Sequence, residues 1–518
     1  MKKIKIYLVI ALVSGSFVSC NNWLTLHPDN AQTTDQYWQS KQDVDQVIAA
    51  GYIKLRDCVK DQSLFIWGEI RGDGIDIINP TLNDDIKAVQ KIRNVDITPD
   101  NKYVSWANMY KVIGMANSVL KYAPPVRDLD PSFSLGELNG YFCEAYFLRS
   151  LAYFYLVRTF RDVPLILEPY VEDNQELKMA KSDENVVLTQ IIADLKKALE
   201  MPPKDYYPET DITNPANTKG RATVWSINAL LADIYLWRGD EAQNDYQNCI
   251  NACEQVRRLE NSQSADQYWA VKLLSGDNWF ANFFPGNSSE SIFEVQFSYT
   301  KGQQTNSFMT WFGNDPTKQL YGVSFPAQML FNVSTLLGDI RGYGASYFAN
   351  DKIWKYLGFN YVTLDPATRG STQNDQNFII YRLADIYLME AEAYIMKNDY
   401  TSAIDLITKI RQRAGIAGTL VAPATEIDML DLLLDERARE FIGEGKRWFD
   451  LLRVARRHEF MYKDYMINKV LQVISPGLVS MARQKMSDPN ALYLPIHRDE
   501  LNANKLLVQN PYYENLGN

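Results

Sequence analysis

Between residues 435 and 453 the chain concentrates charge: Glu436, Glu440, Glu444 and Asp450 stand among Arg437, Arg439, Lys446, Arg447 and Arg453. Paired carboxylates are what a glycosidase uses, one as acid and one as nucleophile or base. An α-helical glycoside hydrolase or lyase is therefore one chemistry to weigh. The spacing points elsewhere. Each acid has a basic neighbour three or four residues away: Glu436 with Arg439, Glu440 with Arg437, Asp450 with Arg447 and Arg453. Such pairing lowers a carboxylate pKa, the wrong direction for a general acid. The segment reads as intrahelical and interhelical ion pairs.

Other catalytic chemistries have little material. There are three histidines (His27, His458, His497) and five cysteines, of which Cys249 and Cys253 sit four apart without matching metal ligands elsewhere. Buried small side chains are the expected state of these thiols, and no metal or cofactor is expected. Gly443-Glu444-Gly445 reads as a helix break, since no strand precedes it as a phosphate loop requires. Arg71-Gly72-Asp73-Gly74 reads as a turn, and no G-x-S-x-G surrounds a serine. The chain is read as a binder with no catalytic residues. Across 518 residues, 53 Lys and Arg face 63 Asp and Glu, a net charge of −10. That acidic balance argues against sequence-independent nucleic-acid binding, which needs clustered Lys and Arg.

The N-terminus carries a different signal. Lys2, Lys3 and Lys5 precede an apolar run from Ile6 to Val13, then small residues and Cys20. The run is shorter than the roughly 20 apolar residues that span a bilayer, so residues 1–19 read as a signal peptide. A cysteine directly after the cleavage region is similar to a bacterial lipobox, with lipid attached to Cys20. The mature protein is then a soluble body held to a lipid bilayer through that acylated residue.

The elements are mostly paired helices. In 381–414, Ala384, Leu388, Ala391 and Ile395 repeat at helical spacing, followed past a polar turn by Ala403, Ile407, Ile410 and Ala414. Tyr387, Ala391, Tyr394, Ala403 and Ile407 match the large and small positions of a tetratricopeptide unit of about 34 residues. Looser copies lie at 221–256 and 144–198, and a further helix from Trp106 is expected to end before Pro124-Pro125. Residues 291–297 alternate like a short strand. The long segments 61–103, 161–181, 203–220, 258–330 and 341–377 read as loops, which at this length usually carry function. The fold class is all-α, helix pairs with long irregular loops and a few short strands. An N-terminal part (20–257) and a C-terminal part (258–518) are expected to form one integrated body.

Several local strings coincide with a known pattern. Cys20, Trp23, Leu24 and Pro28, then Tyr37-Trp38 and Gly51-Tyr52, lead into Trp106, Tyr110 and Asn117. Phe160-Arg161-Asp162-Val163-Pro164-Leu165 has arginine where the pattern has glycine. Tyr381 to Leu388 with Glu390 to Ala393, then Glu436-Arg437 with Glu440-Phe441, and Glu444-Gly445 with Arg447, Asp450, Leu451 and Arg453, follow in order. Leu494-Pro495-Ile496 and Gln509-Asn510-Pro511 with Tyr513 close the series, with His497 and Lys505 in place of prolines. The chain resembles the SusD/RagB family of outer-membrane nutrient-binding lipoproteins. The resemblance implies a SusD-like helical fold, cell-surface capture of oligosaccharide, and delivery to a TonB-dependent (SusC-like) outer-membrane transporter. Peptides or glycopeptides are the alternative cargo.

Sugar rings present apolar C–H faces to aromatic planes and hydroxyls to polar side chains. Aromatic residues in polar loops are therefore the expected ligand contacts: Trp67 with Asp73, Trp279, and Trp311 with Asn314 and Tyr321. Trp269 lies in the same long loop, whereas Trp106, Trp237 and Trp448 fall on helix motifs and are expected in the core. At least two of Trp67, Trp279 and Trp311 are expected to line one surface site.

Overall fold

The computed structural model describes residues 34–79, 82–170, 178–258, 260, 267–284, 286–298, 302, 308–313, 319–360, 365–368 and 375–514. The leader, Cys20 and Asn314 lie outside the described residues. The principal helices in chain order are α1 (Lys41–Lys60), α2 (Asp84–Arg93), α3 (Ala107–Leu129), α4 (Leu135–Phe160), α5 (Glu184–Glu200), α6 (Val224–Arg238) and α7 (Asp245–Arg257). They continue with α8 (Phe325–Thr335), α9 (Leu383–Met396), α10 (Tyr400–Arg413), α11 (Glu426–Phe441) and α12 (Arg447–Ala455). Among the described residues no helix is long and apolar enough to cross a membrane.

Neighbouring helices pack pairwise: α3 on α4, α4 on α5, α6 on α7, and α9 on α10. The 381–414 hairpin forms where its spacing places it, and Ala391, Ala403, Ile407 and Ile410 are wholly buried between its helices and their neighbours. Small residues on the facing stripes allow that close approach. Helix α7 packs on α9, joining segments on either side of residue 257. Local signals set the helix ends. Ser134 accepts from the Glu137 amide at 3.2 Å while the Glu137 carboxylate accepts from the Ser134 amide at 3.0 Å, a capping box that starts α4. Gly239, with φ of +57°, closes α6 by donating to the Tyr235 carbonyl.

Segment 61–103, read as a loop, contains helix α2 (Asp84–Arg93), whose capped start and buried Ile86, Val89 and Ile92 make it a packed element. One helix end and one turn also need a physical account. Helix α3 runs through Pro124 and Pro125 to Leu129 instead of stopping before them. Each proline removes a backbone donor, but Ala123 and Val126 beside them are fully buried, so packing carries the helix past the pair. At Arg161, φ is +67° and ψ −82°, and the Asp162 amide donates to the Phe160 carbonyl at 3.1 Å. This is a strained γ-turn, which explains why glycine suits the position. The arginine is held there by Asn490 at 2.9 Å.

The strands are short and tie distant segments together. β1 (Ile75–Ile77) pairs antiparallel with β3 (Tyr321–Val323), with Ile77 opposite Tyr321. β2 (Ser291–Val295) pairs with β4 (Phe378–Arg382), Ser291 opposite Arg382, and every residue of both strands is buried. Beneath β1 the segment 66–70 meets the turn after α11 so closely that a Cβ on Gly68 would stand 1.8 Å from the Gly445 carbonyl oxygen. That oxygen belongs to backbone and cannot swing aside. Gly68→Ala is expected to lower unfolding free energy by about 3 kcal/mol. Denaturant unfolding checks this, and a midpoint equal to wild type rules the contact out as a constraint.

Candidate ligand-binding site

A cavity of about 210 Å³ opens where four segments separated in sequence converge. Gln62 comes from the turn after α1, Asn83 and Asp85 from the start of α2, Tyr103 from the connection to α3, and Trp311, Leu320 and Tyr321 from the approach to β3. Local structure aims each group. Asn83 is the N-cap of α2, its side-chain oxygen accepting from the Ile86 amide at 2.9 Å. Gln62 sits at φ of +71°, where its side chain accepts from the Tyr321 hydroxyl at 2.7 Å. The Lys102 ammonium lies 2.6 Å from one Asp85 oxygen, which leaves the second oxygen as an acceptor.

The rim is exposed and polar, the floor buried and aromatic. Asn83 and Asp85 are exposed, whereas Tyr103, Trp311 and Tyr321 are buried. Phe65 backs the floor, its ring centroid 5.2 Å from Tyr321 and 6.1 Å from Trp311. Acceptors and amide donors at a rim above aromatic rings are what a sugar needs: hydroxyl partners above, apolar surface below. The volume is below the roughly 300–1,000 Å³ of most ligand pockets, so only part of an oligosaccharide fits inside.

The expected loop contacts are only partly brought together. Trp311 and Tyr321 share this cavity, yet both are less than 3% exposed and neither is an open stacking platform. Trp67 lies one layer below, its indole N–H donating to the Tyr103 carbonyl at 2.7 Å and its ring meeting the edge of Phe160. Trp279 is elsewhere, buried with its N–H on Glu440 at 3.2 Å. Asp73 accepts two bonds from Arg447, at 2.5 and 2.9 Å. The Arg447 guanidinium outweighs burial and holds that carboxyl below its ordinary range. The expectation of two tryptophans from Trp67, Trp279 and Trp311 lining one surface site is therefore corrected: buried indoles found acceptors in distant segments and became core. Trp269 is half-buried and stacks on Tyr206, with centroids 5.5 Å apart. Gln62, Asn83, Asp85 and Tyr103 were missed. Their one sequence signal was Asn83-Asp84-Asp85 opening a helix.

A larger cavity, about 340 Å³, lies between α3, residues 164–170 and the 500–507 segment. Its lining is mostly apolar, and the Asn117 and Asn504 amides facing it already donate to backbone carbonyls. Lys111, Glu168, Tyr170 and Glu500 also line it, so what distinguishes the smaller cavity is its exposed polar rim over aromatic rings and not a larger number of polar groups.

The charged 435–453 segment is structural. Arg382 donates to Glu290 at 2.7 Å, Glu440 at 2.5 Å and Glu444 at 3.0 Å, all wholly buried. Arg341 joins Glu436 and Glu440, each at 2.8 Å, and Arg413 also reaches Glu440. The expected pairs of Glu436 with Arg439 and Asp450 with Arg453 form, but Glu440 takes its partners from other segments and Arg447 turns to Asp73. Burial alone would raise the Glu440 carboxyl; Arg413, Arg382 and Arg341 outweigh it and hold it well below the usual range. The adjoining cavity, about 20 Å³, is sized for a water molecule and admits no sugar.

Glu69 anchors the floor to this segment. Its carboxylate accepts from the amides of Gly443 at 3.2 Å, Lys446 at 3.0 Å and Arg447 at 3.5 Å. Burial nevertheless pushes its carboxyl up to about 7. A carboxyl that keeps its proton better folded than unfolded adds stability below its unfolded value, and this is lost as pH rises through the folded one. Relative to Glu69→Gln, wild type is expected to lose about 3 kcal/mol between about pH 4 and pH 8. Urea unfolding of both proteins across that range is the check, and a constant difference between them contradicts it.

The comparisons with known proteins agree with this architecture. The model described as "Starch-binding associating with outer membrane" matches residues 22–236, and that of the SusD family matches residues 328–513. SusD-like protein P38 of Formosa agariphila is 24% identical, over 89% of this chain and 93% of its own. Among solved structures, a SusD homolog from Bacteroides thetaiotaomicron superposes with a TM-score of 0.71 at 24% identity, covering 92% of this chain and all of that one. A laminarin-binding SusD-like protein gives 0.65 at 23% identity, covering 91% and 99%. Helix pairs, short strands and two family matches that together span most of the sequence lead to one conclusion: the chain belongs to the SusD-like family.

Proposed function

We propose that this protein is a cell-surface lipoprotein that binds an oligosaccharide in the Gln62–Asp85–Tyr321 cavity and passes it, uncleaved, to a partner TonB-dependent transporter. The observation that carries the reading is the cavity itself, where an exposed carboxylate and amides stand over a buried aromatic floor. Support comes from the family descriptions, which speak of starch binding and the outer membrane, and from the laminarin binding of one structural relative. The basic leader, short apolar run and Cys20 support lipid anchoring.

The placement of the acids supports binding without turnover. The carboxylates that suggested hydrolysis are locked among guanidiniums, and among the described residues lining the cavity the one carboxylate is Asp85. One carboxylate on a wet rim can take hydroxyl hydrogen bonds, whereas a glycosidase works with two acids.

Isothermal titration of the mature body with laminarin and starch oligosaccharides tests the site. Asp85→Ala and Trp311→Ala are each expected to weaken glycan binding about tenfold, as loss of a charged hydrogen bond or of the floor implies. Trp279→Ala is expected to lower the melting temperature without changing affinity in the fraction that stays folded. Glycan affinity unaltered by both cavity variants sinks the site, and binding of peptides alone transfers the same cavity to peptide cargo. Separately, Cys20→Ala is expected to move the protein from the membrane to the soluble fraction and abolish fatty-acid labelling.

A further inference from the structure

We infer that the cavity selects sugars that carry an acetamido group and that Gln62 is the residue that reads it, an inference that rests on the oligosaccharide reading above. Gln62 follows the C-cap of α1, its backbone amide donating to the Val59 carbonyl at 3.0 Å. Its φ of +71° is the left-handed conformation for which helices ordinarily recruit glycine at this position, as α6 does with Gly239. A glutamine kept there against backbone strain points to a task for its side chain.

The bonds already made decide what that side chain has left to offer. The Gln62 oxygen accepts from the Tyr321 hydroxyl at 2.7 Å, so the NH2 group is the end of the amide left for a ligand. The Asn83 oxygen is likewise engaged by the Ile86 amide at 2.9 Å, and Asn83 too presents N–H groups. Asp85 keeps one carboxylate oxygen, the Lys102 ammonium holding the other at 2.6 Å. The cavity therefore shows a ligand amide donors beside one strong acceptor, above the rings of Tyr103, Trp311 and Tyr321.

An acetamido substituent answers each of these. Its carbonyl oxygen accepts from the Gln62 NH2, its N–H donates to Asp85, and its methyl group covers the aromatic floor and Leu320. It is small enough for a cavity of about 210 Å³ that admits only part of an oligosaccharide. A plain hydroxyl supplies hydrogen bonds but no apolar cap. A uronate supplies strong acceptors, yet it has no N–H for Asp85 and brings a like charge against it. A site built to hydrogen-bond one group strongly rejects the analogue that lacks it, because its own polar groups are then left unpaired.

Chitotriose and cellotriose test this, since they are the same β-linked trisaccharide with acetamido or hydroxyl groups beside the anomeric carbon. In isothermal titration of the mature body, wild type is expected to bind chitotriose at least about tenfold more tightly. Gln62→Glu keeps an oxygen for Tyr321 and removes only the donor, and is expected to bring the two affinities within about twofold of each other. Gln62→Gly, which suits the left-handed backbone, is expected to do the same. Equal or tighter binding of cellotriose by wild type overturns the inference. So does a preference for chitotriose that survives in either variant, which takes the selection away from Gln62. Binding of laminarin or starch oligosaccharides without chitotriose overturns it too, while leaving the oligosaccharide reading in place. If no glycan of this panel binds, that reading itself fails and this inference with it.

Discussion

Arg382, wholly buried at the end of β4, shares its guanidinium among Glu290, Glu440 and Glu444, and most of the fold is fastened through these contacts. Glu290 precedes β2, Glu440 ends α11 and Glu444 lies in the turn before α12, so one side chain fixes three segments. Arg413 at the end of α10 reaches Glu290 and Glu440, and Arg341 beyond α8 reaches Glu436 and Glu440. Burying so much charge is costly, and a well-packed apolar core of equal volume is often as stable. What the ionic arrangement supplies is geometry. Each carboxylate accepts only from particular directions, so the helix pairs and the strand pair between them have one way to fit.

That geometry is transmitted to the candidate site. The turn holding Glu444 gives backbone donors to Glu69, and Arg447 just beyond it clamps Asp73. Glu69 and Asp73 lie within the segment from Trp67 to β1, and Trp67 hydrogen-bonds the backbone of Tyr103 in the cavity floor. The carbonyl of Asp73 also receives Ser324, fixing the exit from β3. A chain of buried polar contacts thus runs from the charged centre to the rings under the ligand cavity.

The helical scaffold was legible in the sequence because its signals are local. Spacing of Ala391, Ala403 and Ile407 identified a hairpin that the structure contains, and the charged strings around Glu436 and Arg453 identified ion pairs. The site was much less legible. Whether a loop tryptophan faces water or core depends on acceptors far away, Tyr103 for Trp67 and Glu440 for Trp279. No spacing rule connects those residues. Helix α3 shows the same limit, since the burial of Ala123 and Val126 that carries it past Pro124 and Pro125 is tertiary. Asn83 and Asp85 were visible only as a helix start, where capping alone accounts for their presence.

The cavity takes its walls from separate stretches of chain, around residues 62, 83–85, 103 and 311–321, while the ionic centre that orients them lies outside it. Gln62 with Tyr321 and Lys102 with Asp85 tie neighbouring walls to each other, but changes at the exposed rim leave the ionic centre untouched. A gene lineage facing a new polysaccharide can therefore explore replacements in the α2 start or the β3 approach piecemeal, with little penalty in foldability. Divergence within such a lineage should concentrate in those rims, and the arginine–glutamate centre should drift slowest.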